Sequence, residues 1–128
     1  MKKAISWFEI PVEDMARAKK FYEHVMDVQL VPGDPIDGME MACFPMKSPE
    51  SSASDAKSFG ARVKYKHHTP SKDGVVLYLS SQDLEVELGR IDNSGGKVVS
   101  PRTSIGKWGY MAYFIDTEGN KLALHSSK

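Results

Sequence analysis

The 128-residue sequence predicts an α+β fold in which two βαβββ modules roll a curved mixed sheet around a cleft, with the helices on its outer face. Three observations carry this. Apolar residues alternate with period two through several short runs and recur with helical period through two longer ones. The order strand, capped helix, three strands then occurs twice. A shift of 69 residues lays Asp14 on Asp83, Met15 on Leu84, Leu30 on Val99 and Pro32 on Pro101, so cap, helix length, strand and proline agree together. The whole chain, 1–128, reads as a single domain, with module one over about 4–66 and module two over about 74–126.

Ala4 to Ile10 alternates, with Ile5, Trp7 and Glu9 on one face and Phe8 and Ile10 on the other, and Pro11 ends that strand. Asp14 is the N-cap of a helix whose Met15, Ala18, Phe21/Tyr22 and Val25/Met26 form one apolar stripe. "VQLV" is a short strand stopped by Pro32-Gly33, and Met39 to Phe44 is the next. "MKSPESSASDAKS", 46–58, is small, polar and unpatterned, which marks an exposed loop. "FGARVKY" resumes the sheet, and "KHHTPSKDG" is a second loop. "VVLYLSS" restarts the series. Asp83 caps a helix with Leu84, Leu88 and Ile91 facing inward, and Ser94-Gly95-Gly96 ends it. "KVVSP", Gly109 to Asp116 and Asn120 to His125 complete the second module, the last two joined by the turn "DTEGN".

Charge and composition narrow the function. Seventeen basic residues balance seventeen acidic ones, so bulk charge favours neither nucleic acid nor an anionic membrane. No apolar run approaches the ~20 residues that cross a bilayer. Met1-Lys2-Lys3 is followed too soon by Glu9, Glu13 and Asp14 to open a signal peptide. The single cysteine, Cys43, excludes an intramolecular disulfide, suits a reducing cytoplasm and is expected in a buried strand position. No serine sits in a Gly-x-Ser-x-Gly elbow, and Gly95-Gly96 ends a helix instead of opening one, so no phosphate-cradling loop is present.

The stretches "WFEIPVEDMARAKKFYEHV", "TPSKDG", "GGKVVSPRTSIG" and "GYMAYFIDTEGNKLALHS" resemble the vicinal-oxygen-chelate superfamily, which includes glyoxalase I, extradiol dioxygenases and bleomycin-resistance proteins. The resemblance covers nearly the whole chain, the loop at 46–58 excepted. It is specific for the fold. The superfamily hosts isomerases, dioxygenases, epimerases, thiol transferases and drug-sequestering binders, so the fold alone licenses no reaction. The resemblance implies, for catalytic members, a divalent metal on four cleft-facing His or Glu residues, one from the first and one from the last strand of each module. With "RVKY" laid on "LAL", the repeat places those positions at Trp7, Lys64, Val76 and Ala123. An indole and two aliphatic side chains cannot ligate, and an ammonium repels a cation. Neither the family's metal nor any other cofactor is therefore expected. Relatives usually dimerise, which implies a homodimer.

The same resemblance draws attention to the cleft. Glu9 faces inward beside Trp7, and an inward carboxylate needs a partner. Lys64, on a neighbouring strand, is the expected one, either as a plain ion pair or as the positive charge that a metal supplies in relatives. Tyr78 shares the face of Val76. Trp7, Tyr78, Tyr110 and Phe114 read as aromatic walls or as core, and Met39, Met41, Met46 and Met111 as soft lining or as gap-fillers. His125 shares the face of Ala123, where it either bonds locally at the strand end or meets a ligand. His67 and His68 point to opposite sides of extended chain and read as a solvated loop. The expected ligand-binding set is Trp7, Glu9, Lys64, Tyr78 and His125. The expected function is a metal-independent small-molecule binding protein of the glyoxalase/bleomycin-resistance type, whose partner is a small molecule and neither nucleic acid nor membrane. One alternative is a glyoxalase-like lyase/isomerase or other enzyme with Glu9 or His125 as base and Lys64 as electrostatic stabiliser. Another is a dimeric interaction module with a vestigial cleft.

Overall fold

A computed structural model describes residues 7–33, 38–45, 60–65 and 68–128. The polar loop at 46–58, the first residues of the opening strand and His67 lie outside the described residues. The elements are β1 (Phe8–Pro11), α1 (Met15–Met26), β2 (Val31–Pro32), β3 (Glu40–Cys43) and β4 (Gly60–Lys64), then β5 (Tyr78–Ser80), α2 (Leu84–Ile91), β6 (Lys97–Ser104), β7 (Tyr110–Ile115) and β8 (Lys121–Ser126). The predicted βαβββ order therefore occurs twice, as two four-stranded mixed sheets ordered β1-β4-β3-β2 and β5-β8-β7-β6. In each sheet the first strand runs parallel to the last and the other pairs are antiparallel.

Both helices start where their caps direct. The Asp14 carboxylate accepts from the Arg17 amide, and that of Asp83 from the Glu85 amide, each taking up a donor that the first turn leaves open. α2 runs into a 3-10 turn, Asp92–Ser94, closed by Gly95 at φ 95°. That is a left-handed conformation that glycine adopts without the clash a Cβ brings.

Several strand boundaries differ from the sequence reading, those of β2 and β6 among them. β2 is Val31–Pro32 and not "VQLV": Asp27 turns left-handed at φ 52°, and the Leu30 amide donates to the Glu23 carboxylate at 2.9 Å, which keeps 28–30 off the ladder. β6 continues through Pro101 to Ser104, with register shifts on either side of Ser100. Both strands lie at sheet edges, where the amide that proline lacks costs no ladder bond.

One cluster of buried residues spans both halves. Phe21 and Tyr22 of α1 pack with Ile10 and Ala42 on one side and with Phe114, Leu122 and Leu124 on the other. The Phe21 and Phe114 rings are 6.2 Å apart. Polar contacts from the turn after β7 reinforce this packing. The fully buried Glu118 carboxylate accepts from the Glu13 and Asp14 amides at 2.9 and 2.8 Å and from Arg17 Nε at 2.7 Å. The Tyr22 hydroxyl donates to Asp116 at 2.7 Å, and Asn120 Nδ2 donates to the Pro11 carbonyl at 2.7 Å.

Burial alone would raise the Glu118 carboxyl, but the Arg17 side chain, the two amides and the Thr117 hydroxyl outweigh it and hold the group at about 2. Its stabilisation is therefore complete above the ordinary carboxylate range and is lost as pH falls from about 4.5 towards 2. Glu118→Gln is expected to cost about 2 kcal/mol at pH 7 and to flatten this acid limb, as read by thermal melts between pH 7 and 2.5.

Arg62 is the least expected core residue. Its guanidinium lies between the Tyr22 and Phe44 rings, 3.7 and 3.3 Å from their centroids, and none of its three side-chain nitrogens has a hydrogen-bond partner. Burial pulls it down to about 9, against the opposing fields of Tyr22, Asp116 and Glu23, so it stays charged at neutral pH. Ring stacking offsets only part of the desolvation of such a group. Arg62→Met, which keeps most of the volume and removes the charge, is expected to raise the melting temperature. A fall would mean that stacking outweighs desolvation.

Candidate functional site

Each helix covers one face of its sheet, and strand alternation sends the remaining side chains to the other face. On the N-terminal sheet Phe8, Ile10, Ala42 and Arg62 point to the helix side, which leaves Trp7, Glu9, Ala61 and Val63 on the helix-free side. On the C-terminal sheet Leu79, Phe114, Leu122 and Leu124 fill the core, so Tyr78, Tyr113, Lys121, Ala123 and His125 share the helix-free face. Ala61, Val63 and Ala123 are fully buried yet stand outside the core cluster, which shows how closely larger neighbours cover these faces.

Glu9 does not pair with Lys64. Trp7 Nε1 donates to Glu9 Oε2 at 3.1 Å, and Glu9 Oε1 lies 3.2 Å from His68 Nε2. The register explains the difference. Glu9 stands beside Ala61, three residues before Lys64, and an odd separation along a strand reverses the face. Tyr78 stands beside Ala123 in the same way, so the pairing makes Ala61, and not Lys64, the counterpart of Ala123. Lys64 is exposed, sits across from Glu40, and lines a hollow of about 510 Å³ with Glu13, Tyr65 and His68. His68 is thus drawn to the site and is not simply part of a solvated loop; its amide donates to the Tyr65 carbonyl at 3.0 Å, and its ring meets that of Tyr65 edge-on at 5.3 Å.

The C-terminal face has its own polar set. The Tyr78 and Tyr113 hydroxyls are 3.2 Å apart, and Lys121 Nζ lies 4.4 Å from the Tyr113 ring centroid. His125 Nε2 lies 2.6 Å from the Trp108 carbonyl; a carbonyl only accepts, so this nitrogen carries the ring hydrogen. Phe114 is core and Tyr110 packs against the core, so neither is a wall of this face. Tyr113 is the wall that the sequence reading missed, although alternation with the core residues Ala112 and Phe114 marks it. Among the described residues no hydrogen bond, ion pair or ring contact joins Trp7, Glu9 and His68 to Tyr78, Tyr113, Lys121 and His125. A larger hollow of about 700 Å³ opens elsewhere, between α1 and the turn at 93–95 beside Arg17, Lys20 and His24.

The Glyoxalase/Bleomycin resistance protein/Dioxygenase superfamily model matches residues 4–124. The chain belongs to that superfamily. Among curated proteins, none matches its sequence. Solved structures share its fold at low identity. TnmS3, an antibiotic binding protein from Streptomyces sp. CB03234, is 20% identical over 99% of this chain and 98% of its own, with a TM-score of 0.66. A glyoxylase/bleomycin resistance protein/dioxygenase domain from Frankia sp. EAN1pec is 15% identical over all of both chains, with a TM-score of 0.72. A glyoxalase I variant from Zea mays is 21% identical over 94% of this chain but only 45% of its own, with a TM-score of 0.71.

Catalytic members of the superfamily are expected to hold a divalent metal, and the donors among the described residues do not make up such a site. Glu9 and His68 supply two donors, and among the described residues no third His, Cys, Asp or Glu joins a group able to hold an ion. No helix among the described residues is long and apolar enough to cross a membrane. The contact with Tyr113 raises the Tyr78 hydroxyl above its ordinary value, with smaller contributions from burial and from the Tyr113 charge. Tyr113→Phe is expected to return the Tyr78 titration to the ordinary range, as followed by absorbance near 295 nm.

Proposed function

We propose that this chain is a small-molecule binding protein of the glyoxalase/bleomycin-resistance type that holds an organic ligand on the helix-free faces of its sheets without a metal ion. One observation carries the reading: each face presents an exposed aromatic side chain next to hydrogen-bonding groups. Trp7 is 39% exposed beside Glu9, and Tyr78 is 47% exposed beside Tyr113, with Lys121 and His125 on the same face. A flat ligand stacks on the rings while the polar groups fix its orientation. Lys64 meets the ligand from the rim of the neighbouring hollow, not from beside Glu9. Metal independence rests on chemistry: the positions that the family resemblance assigns to ligands include Trp7, Val76 and Ala123, and none offers a lone pair to a cation.

The chain acts as one domain of two modules, 4–66 and 74–126, and as a homodimer. Among the described residues no hydrogen bond or ring contact joins the two aromatic patches, and Trp108 at the tip between β6 and β7 is 68% exposed. A second copy that lays one face against the complementary face of its partner closes both clefts. A cytoplasmic setting suits its single cysteine.

A thermal-shift titration against bleomycin and a panel of planar aromatic antibiotics tests this, run beside Zn²⁺ and Ni²⁺ on protein whose dimeric mass is checked by light scattering. The expected result is a saturable rise with at least one organic compound, about 2.7 kcal/mol at a hundredfold excess over Kd. Trp7→Ala and Tyr78→Ala should each abolish it. A saturable rise with metal at low micromolar concentration and none with the organic compounds overturns the reading.

A further inference from the structure

We propose that His68, held by Glu9, is a general base at the hollow that it lines beside the N-terminal sheet, and that it acts on an uncharged ligand carrying an acidic C–H or O–H. The proposal rests on the reading above only in taking the chain as one that receives small organic ligands. A carboxylate oxygen accepts and does not donate, so the contact between Glu9 Oε1 and His68 Nε2, at 3.2 Å, places the ring hydrogen on Nε2. In the neutral ring Nδ1 then keeps its lone pair, and it has no hydrogen-bond partner among the described residues. The carboxylate is itself fixed, because Trp7 Nε1 donates to its other oxygen at 3.1 Å. The ring is fixed by Tyr65, whose ring stands at 90° to it and whose carbonyl accepts the His68 amide. A base oriented by a second group, itself oriented by a third, is the arrangement that proton abstraction uses.

The surroundings select the ligand. His68 lines the hollow of about 510 Å³ with Lys64, Glu13 and Glu40. Two carboxylates disfavour a ligand that is anionic throughout, and charge that develops on an uncharged one is stabilised where it lies nearer the Lys64 ammonium than either carboxylate. In the step, the C–H or O–H proton passes to His68 Nδ1 and the bonding pair stays on the ligand as an enolate or oxyanion. The Glu9 carboxylate stabilises the imidazolium. Glu9 is therefore a positioning residue and His68 the group that touches the ligand.

The uncharged probe 5-nitrobenzisoxazole tests this without any cognate ligand. Loss of its single acidic C–H proton forms a nitrile, breaks the N–O bond and releases a coloured phenolate. The protein is expected to accelerate this elimination at least about tenfold over His68→Ala and His68→Asn, with His24→Ala, on the outer surface of α1, matching the unaltered chain. Nitrogen-15 spectra of the imidazole should show hydrogen on Nε2, and Glu9→Gln should both slow the elimination and mix the two ring tautomers. Equal rates with and without His68 in folded variants overturn the proposal, as does a ring hydrogen found on Nδ1. Failure of the binding reading shows separately, in the thermal titration, and leaves the elimination rates interpretable.

Discussion

The turn from Asp116 to Asn120 is the constraint on which the rest depends. Three of its side chains reach from the C-terminal half to the N-terminal half, and each takes up polar groups there. Glu118 takes the two amides ahead of α1 and grips Arg17, Asp116 takes the Tyr22 hydroxyl in the shared core, and Asn120 holds the Pro11 carbonyl at the end of β1. The turn is itself braced, because Asp116 accepts from the Glu118 and Asn120 amides at 2.8 and 2.9 Å. These contacts fix where β1 lies relative to β8. They therefore set the relation between the face that carries Glu9 and the face that carries His125.

Much of this architecture was legible in the sequence, because caps and periodicity are local. Asp14 and Asp83 start helices where their side chains predict it, and the repeat gives the order of strands. What was not legible depends on counting across a polar loop. Laying "RVKY" on "LAL" misplaced the counterpart of Ala123 by three residues, from Ala61 to Lys64, and in a strand an odd error exchanges the two faces completely. His68 was missed for a different reason. It follows a strand instead of lying in one, so no alternation reports its direction, and only the fold brings it to Glu9, 59 residues away. His125 and Tyr78 were placed on the correct face because the turn before β8 and the cap of α2 anchor the count close by.

The family frame has been given different chemistry here. Where a chelating site needs several converging lone pairs, these strands present an indole, two phenols and small aliphatic groups, and the polar contacts run between side chains: Trp7 to Glu9 to His68 on one sheet, Tyr78 to Tyr113 on the other. Such contacts hold groups in place without demanding fixed coordination angles. The buried Arg62 on the opposite side of the same sheet shows the contrast: it is a charge stacked between two ring faces without a hydrogen bond.

The prolines of β2 and β6 bear on a different hazard. Each occupies a strand at a sheet margin, Pro32 in one half and Pro101 in the other, at positions that the repeat makes equivalent. An extended segment from a neighbouring molecule that tried to continue either sheet would meet a missing donor, and at β6 a broken register as well. Runaway stacking into fibrils is thereby discouraged at both margins.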